Sequence, residues 1–177
     1  MTSFKTLDDL PADLTGKVAL VRVDLNLPMA DGVVTDDTRV RASAPTILEL
    51  ADKGAKVLLL AHFGRPKGEK VSTMSVSMTI DAVQHVLGRE VMFVPEIAGP
   101  VVVQSLGILR PGDIAMLENT RFWKGEEAND PELAKRLPQT ATSTSTMPSP
   151  PRTARMPAPR GSRTSCPLLP AAQWKPN

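Results

Sequence analysis

Three short stretches carry the side chains most able to do chemistry: Asp24 and Asn26, then His62 and Arg65, then Glu118, Asn119 and Arg121. Each follows an apolar run, and Arg39 stands a little downstream of the first. A guanidinium presents forked N–H donors that match carboxylate and phosphate oxygens, so several of them converging with a histidine would describe an anion site. Singly, none of these residues is informative. A lone arginine or aspartate after an apolar run is ordinarily a solvated loop charge, and Asp24 or Asn26 alone could serve a turn. Gathered at successive ends of one sheet, they would instead line a basic crevice for an anionic ligand.

The elements that would gather them are legible in the hydrophobic pattern. Residues 17–23 form a β-branched-rich run that stops at Asp24 and Pro28, which reads as strand into loop. Asp36, Asp37 and Thr38 supply a helix start. Val40, Ala44, Ile47, Leu48 and Ala51 follow at helical spacing, with Gly54 as the stop and Pro45 as a bend inside. Residues 56–61 are nearly all apolar, as strands buried on both faces of a parallel sheet tend to be. The cycle repeats: helix over 77–87 closed by Gly88, strand over 91–94, short helix over 100–106, strand over 114–117, and a helix opened by Asp130 and Pro131 that reaches about Leu137. This alternation predicts an α/β fold, a Rossmann-like parallel sheet with flanking helices, whose ligands collect at the carboxyl ends of the strands.

Composition narrows the function. The chain has 177 residues, 21 Lys+Arg, 19 Asp+Glu, 41% apolar and 3% aromatic residues. All 19 acidic residues and 16 of the 21 basic ones fall in 1–137. The last 40 residues hold five basic residues, no acid and nine of the 17 prolines. The net +2 is therefore a mildly acidic domain plus a basic Pro/Ser/Thr-rich tail. It is no argument for nucleic acid, which would call for interleaved basic and aromatic residues. No apolar run approaches the roughly 18 residues of a membrane span. Asp8, Asp9 and Asp13 speak against a signal peptide, and the lone Cys166 cannot pair within the chain, so a cytoplasmic setting is expected. No G-x-x-x-x-G-K-[ST], G-x-G-x-x-G or G-x-S-x-G motif occurs, and two histidines with no ligand spacing predict no metal site. His85 reads as a surface or core-edge residue, Lys124-Gly-Glu-Glu127 as an exposed turn, and the eight Met as packing fillers.

Five longer motifs are more specific: Val21-Arg-Val-Asp-Leu-Asn-Leu-Pro28, Asp36-Asp-Thr-Arg39, Ala61-His-Phe-Gly-Arg-Pro-Lys-Gly68, Leu117-Glu-Asn-Thr-Arg-Phe122 and Lys124-Gly-Glu-Glu-x-Asn-Asp-Pro131. In order and spacing, residues 1–137 resemble the N-terminal domain of phosphoglycerate kinases. They depart from it mildly at Leu25, where an aromatic is usual, at Phe63, where Leu is usual, and in lacking a Pro over 72–77. The resemblance implies an incomplete N-terminal domain of a two-domain, monomeric kinase. That kinase moves a phosphoryl group between 1,3-bisphosphoglycerate and Mg-ADP, giving 3-phosphoglycerate and Mg-ATP in glycolysis. It places the nucleotide in a C-terminal domain that this chain lacks. Carried over residue by residue, Asp24 and Asn26, with Leu25 between them, would hold the glycerate. His62, Phe63, Gly64, Arg65 and Arg121 would hold the non-transferred phosphate, and Arg39 would face the phosphoryl group in flight as the catalytic residue.

The resemblance stops after Leu137, and residues 138–177 are expected to be irregular and poorly packed. Back-translated with each codon begun at the third base of the one before, 140–151 can be written Gly-Asp-Ile-Tyr-Val-Asn-Asp-Ala-Phe-Ser-Ala. Residues from Arg152 on can be written Ala-His-Arg-Ala-His-Ala and then Thr-Glu-Gly-Leu-Ala-His-Lys-Leu-Pro. These are family sequences, so the tail reads as an out-of-frame translation. Four readings follow: a kinase inactive alone, a non-catalytic phosphoglycerate-binding fragment, a misfolded frameshift product, and a regulatory protein whose Pro/Ser-rich tail recruits partners, which would need a tail that the shifted frame does not explain.

Overall fold

The computed structural model describes residues 7–127 and the two later segments 143–146 and 168–169. In chain order the elements are β1 (Val18–Arg22), the hairpin strands β2 (Met29–Ala30) and β3 (Val33–Val34), α1 (Thr38–Asp52), β4 (Lys56–Leu60), α2 (Ile80–Leu87), β5 (Val91–Val94), α3 (Pro100–Ile108), β6 (Ile114–Leu117), α4 (Lys124–Glu127), β7 (Ser143–Thr146) and β8 (Leu168–Leu169). The main sheet has the order β5-β6-β4-β1-β7-β8. β5, β6, β4 and β1 run parallel, with Leu20 opposite Leu58 and Leu58 opposite Ala115. The predicted α/β class is observed.

Alternation along each strand explains why both faces of this sheet are apolar. Val21, Val57, Leu59 and Met116 point into one core, with Val40, Ile47 and Leu50 of α1 and Val83 and Leu87 of α2. Leu20, Leu58, Leu60, Ala115 and Leu117 point into the other, against Val102 of α3. Side chains alternate faces with period two, so a strand covered by helices on both sides must be apolar at every position. Each such Leu or Val contributes roughly 1.5–3 kcal/mol by leaving water.

The helices begin and end for local reasons. Asp36 Oδ1 accepts from the Thr38 amide at 2.8 Å, which satisfies one of the donors that the first turn of α1 leaves over. Pro45 lies inside α1, as expected. The helix predicted over 77–87 begins later, at Ile80. A 3₁₀ turn at Val76–Thr79 precedes it, and Ser75 caps that turn by accepting from the Ser77 amide at 3.1 Å. Gly88 closes α2 in the left-handed conformation at φ 63°. The β2–β3 hairpin was not foreseen. Its turn is Asp31-Gly32, with φ 52° and 78°, the dipeptide that a two-residue turn with positive φ favours.

The 124–127 segment, read as an exposed turn, is instead the single helical turn α4, whose Glu126 is drawn in by two arginines. Within the tail expected to be irregular, the backbone of Ser143–Thr146 pairs parallel with β1, and Leu168–Leu169 pairs antiparallel with it in turn. An uncovered parallel edge offers a row of unpaired backbone groups, and this one is taken up. The helix expected from Pro131, and the packing of the rest of the tail, lie outside the described residues.

Candidate functional site

β6, β4 and β1 are adjacent and parallel, so the loops after them open side by side at one edge of the sheet. Strands lie about 4.8 Å apart, which brings residues three loops distant in sequence within side-chain reach. Asp24 and Asn26 follow β1, His62 to Arg65 follow β4, and Glu118 to Arg121 follow β6. Arg39 joins them from the first turn of α1.

Asp24 organises its own loop. Its Oδ1 accepts from the Asn26 amide at 3.1 Å and its Oδ2 from Arg39 Nη1 at 2.7 Å. Asn26 Oδ1 in turn accepts from the Gly64 amide at 3.0 Å, which ties the first loop to the second. Arg121 Nη1 donates to the Gly64 carbonyl at 3.0 Å, which ties the third loop to the second as well. Both backbone groups of Gly64 are thus held by residues that sequence reasoning placed in the site. The segment turns sharply there. Gly64 and Gly68 have φ of 62° and 79°, and a Cβ on Gly68 would fall 2.3 Å from Lys124 Cγ. Only glycine fits at 68.

Asn119 lies fully buried beneath these loops and accepts from the amides of Phe63 at 3.2 Å and Arg121 at 3.1 Å. Glu118, also buried, accepts from the Ser75 hydroxyl at 2.8 Å, the Val76 amide at 3.1 Å and the Asn119 amide at 2.6 Å. A buried carboxylate needs such donors to stay there.

Two participants were not foreseen. Arg22, the last residue of β1, donates from Nη2 to Glu126 Oε1 at 3.2 Å, while Arg121 Nε stands 3.7 Å from Glu126 Oε2. One carboxylate thus draws two guanidinium groups together. The signal for Arg22 was its place at the strand end, two residues before the loop was taken to begin. Of the foreseen residues, Asp24, Asn26, Arg39, Gly64 and Arg121 are joined by direct hydrogen bonds. Arg65 is exposed. Phe63 packs partly buried against the core, and its backbone meets Asn119. Leu25 is placed differently: its side chain is buried in the core, so only its backbone faces the loop.

His62 sits among these charges. Burial, then the Arg121 guanidinium, lower it to about 4, with Arg22 and Arg39 adding to this and Asp24 opposing it. At neutral pH it meets a ligand as an uncharged N–H donor. The unfolded chain holds the His62 proton below about 6.5, whereas the folded chain takes it up only near 4. Stability from this group is therefore full above pH 6.5 and is lost as pH falls from 6.5 toward 4. After discounting for partial exposure the effect is on the order of 1–2 kcal/mol. Urea unfolding of the parent and of His62→Gln over that range is expected to show the steeper slope in the parent, since lowered carboxylates such as Asp36 and Asp37 contribute to both near pH 4.

A separate cavity of about 440 Å³ lies between the hairpin and α2, lined by Asp36, Asp37, Asp81 and His85 among others. Its carboxylates suit no phosphate. Among the described residues no group of three or more His, Cys, Asp or Glu is placed to hold a metal ion, and no helix is long and apolar enough to cross a membrane. The described residues offer no carboxylate cluster to hold the Mg ion of a Mg-nucleotide.

Sheet order, buried polar supports and a cationic crevice together define an α/β domain that presents arginines and a histidine at the carboxyl edge of a parallel sheet. The phosphoglycerate kinase family model matches residues 7–143, and the chain belongs to that family. It is 60% identical over 137 residues to the phosphoglycerate kinase of Sphingopyxis alaskensis, covering 77% of this chain and 34% of that protein. It is 55% identical over 137 residues to that of Agrobacterium fabrum, with the same shares covered. The crystal structure of phosphoglycerate kinase from Pyrococcus horikoshii superposes with a TM-score of 0.68 at 30% identity, over 80% of this chain and 36% of that one. The chain spans about a third of the length of the curated relatives it matches.

Proposed function

We propose that the crevice binds 3-phosphoglycerate and 1,3-bisphosphoglycerate, and that the chain carries the phosphoglycerate half of a phosphoryl-transfer reaction whose other substrate is Mg-ADP or Mg-ATP. One observation carries the reading: Arg22, Arg39, His62 and Arg121 converge on the ends of three adjacent strands, with Asp24 and Asn26 beside them. Cationic forks suit the phosphate and carboxylate of the ligand, and Asp24 and Asn26 suit its hydroxyl. Phosphoryl transfer asks mainly for positioning and charge neutralisation, which these residues supply on one side only. In the family the nucleotide goes with the two thirds of the length that these residues do not span, so the 177 residues on their own are read as the non-catalytic half, and by family as a cytoplasmic monomer.

The tail is an out-of-frame translation. In support, residues 140–151 and those from Arg152 on can be written in the shifted frame as family sequence. Reading the nucleotides across codons 136–140 tests this, and a shifted frame soon closed by stops would end it. Calorimetric titration of the 177-residue chain with 3-phosphoglycerate tests the binding itself. Saturable one-to-one binding, displaced by sulfate and weaker for unphosphorylated glycerate, is expected. Absence of heat with either ligand at millimolar concentration, for a chain shown to be folded, would overturn it.

A further inference from the structure

Asn119 is fully buried and its amide is spent entirely on three backbone segments around the crevice. Its Oδ1 accepts from the amides of Phe63 and Arg121, and its Nδ2 donates to the carbonyls of Phe63 and Met74, both at 2.7 Å. A side-chain amide offers two donor hydrogens and one carbonyl oxygen with two lone pairs, so all four of its hydrogen-bonding positions are occupied. The contacts form a chain of placement. Asn119 fixes the Phe63 peptide on both sides, which sets where Gly64 stands, and the Gly64 carbonyl receives Arg121 Nη1 at 3.0 Å. The same Asn119 oxygen fixes the Arg121 backbone.

Building on the phosphoglycerate reading above, we infer that Asn119 is the positioning residue of the anion site, which aims the Arg121 guanidinium and the 63–65 loop at the phosphate without touching it. Fixed donors bind an anion better than mobile ones, because less freedom is lost on binding. Removing the amide leaves Arg121 in place and charged but no longer aimed. Asn119→Ala is expected to weaken 3-phosphoglycerate binding about tenfold, which corresponds to about 1.4 kcal/mol. Asn119→Ser, whose hydroxyl can still accept from one amide, should fall between the two.

A merely structural role would lower affinity only by unfolding the chain, so the control is Leu87→Ala, a core change in α2 away from the crevice. The experiment measures Kd by calorimetry below the unfolding range of every variant, and records the Arg121 Nε–H and Phe63 amide resonances without ligand. Expected are weaker binding and shifted Arg121 and Phe63 signals in both Asn119 variants, with both unchanged in Leu87→Ala. The inference falls if Asn119→Ala binds within twofold of the parent, or if Leu87→Ala loses affinity equally. Should Asn119→Ala not fold, Asn119→Ser decides by the same criteria. Should the parent itself not bind, the phosphoglycerate reading fails, and the resonances still decide: an unshifted Arg121 Nε–H in Asn119→Ser overturns the positioning role.

Discussion

Arg121→Ala is expected to weaken 3-phosphoglycerate binding about 100-fold, because truncating one partner of a desolvated charge pair costs roughly 2–5 kcal/mol. Three constraints hold this arginine before any ligand arrives. Its amide donates to Asn119 Oδ1 at 3.1 Å, its carbonyl accepts from the Gly68 amide at 3.1 Å, and its Nη1 donates to the Gly64 carbonyl at 3.0 Å. A side chain ordered in advance loses little rotamer entropy when it closes on an anion. Arg65 differs: it is exposed, and it makes no hydrogen bond or ion pair with the described residues. Arg65→Ala is therefore the milder change, on the order of fivefold, the ordering entropy offsetting part of its Coulombic gain. Arg121→Lys keeps the charge and loses the fork, so it should lie between parent and Ala. Calorimetric titration of the four proteins reads the series. Arg121→Ala binding within threefold of the parent would remove this residue from the site.

The sheet was legible because its physics is local. A strand buried on both faces must be apolar throughout, and residues 56–60 could scarcely be anything else. The loop residues were legible by the same route, since the end of a buried run marks where a ligand can meet the chain. Arg22 and Glu126 were not legible, because their importance lies in a contact 104 residues apart in sequence. Arg22 has only its place at the strand end as a local signal, and Glu126 sits in a stretch that looks like any solvated acidic turn. Leu25 shows the opposite limit. Its neighbours Asp24 and Asn26 face the loop, and the family resemblance assigned it with them, but its side chain turns into the core at 1% exposure. The hairpin was written in Asp31-Gly32 all along, yet strands of two residues are too short for periodicity to mark.

Turnover is expected to separate these 177 residues from the relatives more sharply than affinity does. The 177-residue chain is expected to make no ATP from 1,3-bisphosphoglycerate and Mg-ADP above the uncatalysed background. A chimera in which residues 1–137 replace the aligned segment of the Sphingopyxis alaskensis relative should turn over within about tenfold of that relative, since the two segments are 60% identical. In the chimera, Arg39→Ala then reads the chemistry apart from the binding. Arg39 is held by Asp24 at 2.7 Å at the mouth of the crevice, rather than within the Asn119 network that fixes Arg121. A guanidinium that meets charge as it develops on the moving phosphoryl group contributes to the transition state more than to the bound ground state. The expected result is kcat lower by about 100-fold or more with KM changed severalfold at most, whereas Arg65→Ala should mainly raise KM. Coupled ATP formation measures both. Arg39→Ala with unchanged kcat would return Arg39 to an ordinary ligand contact, and an inactive but folded chimera would show that this chain's crevice no longer serves the reaction.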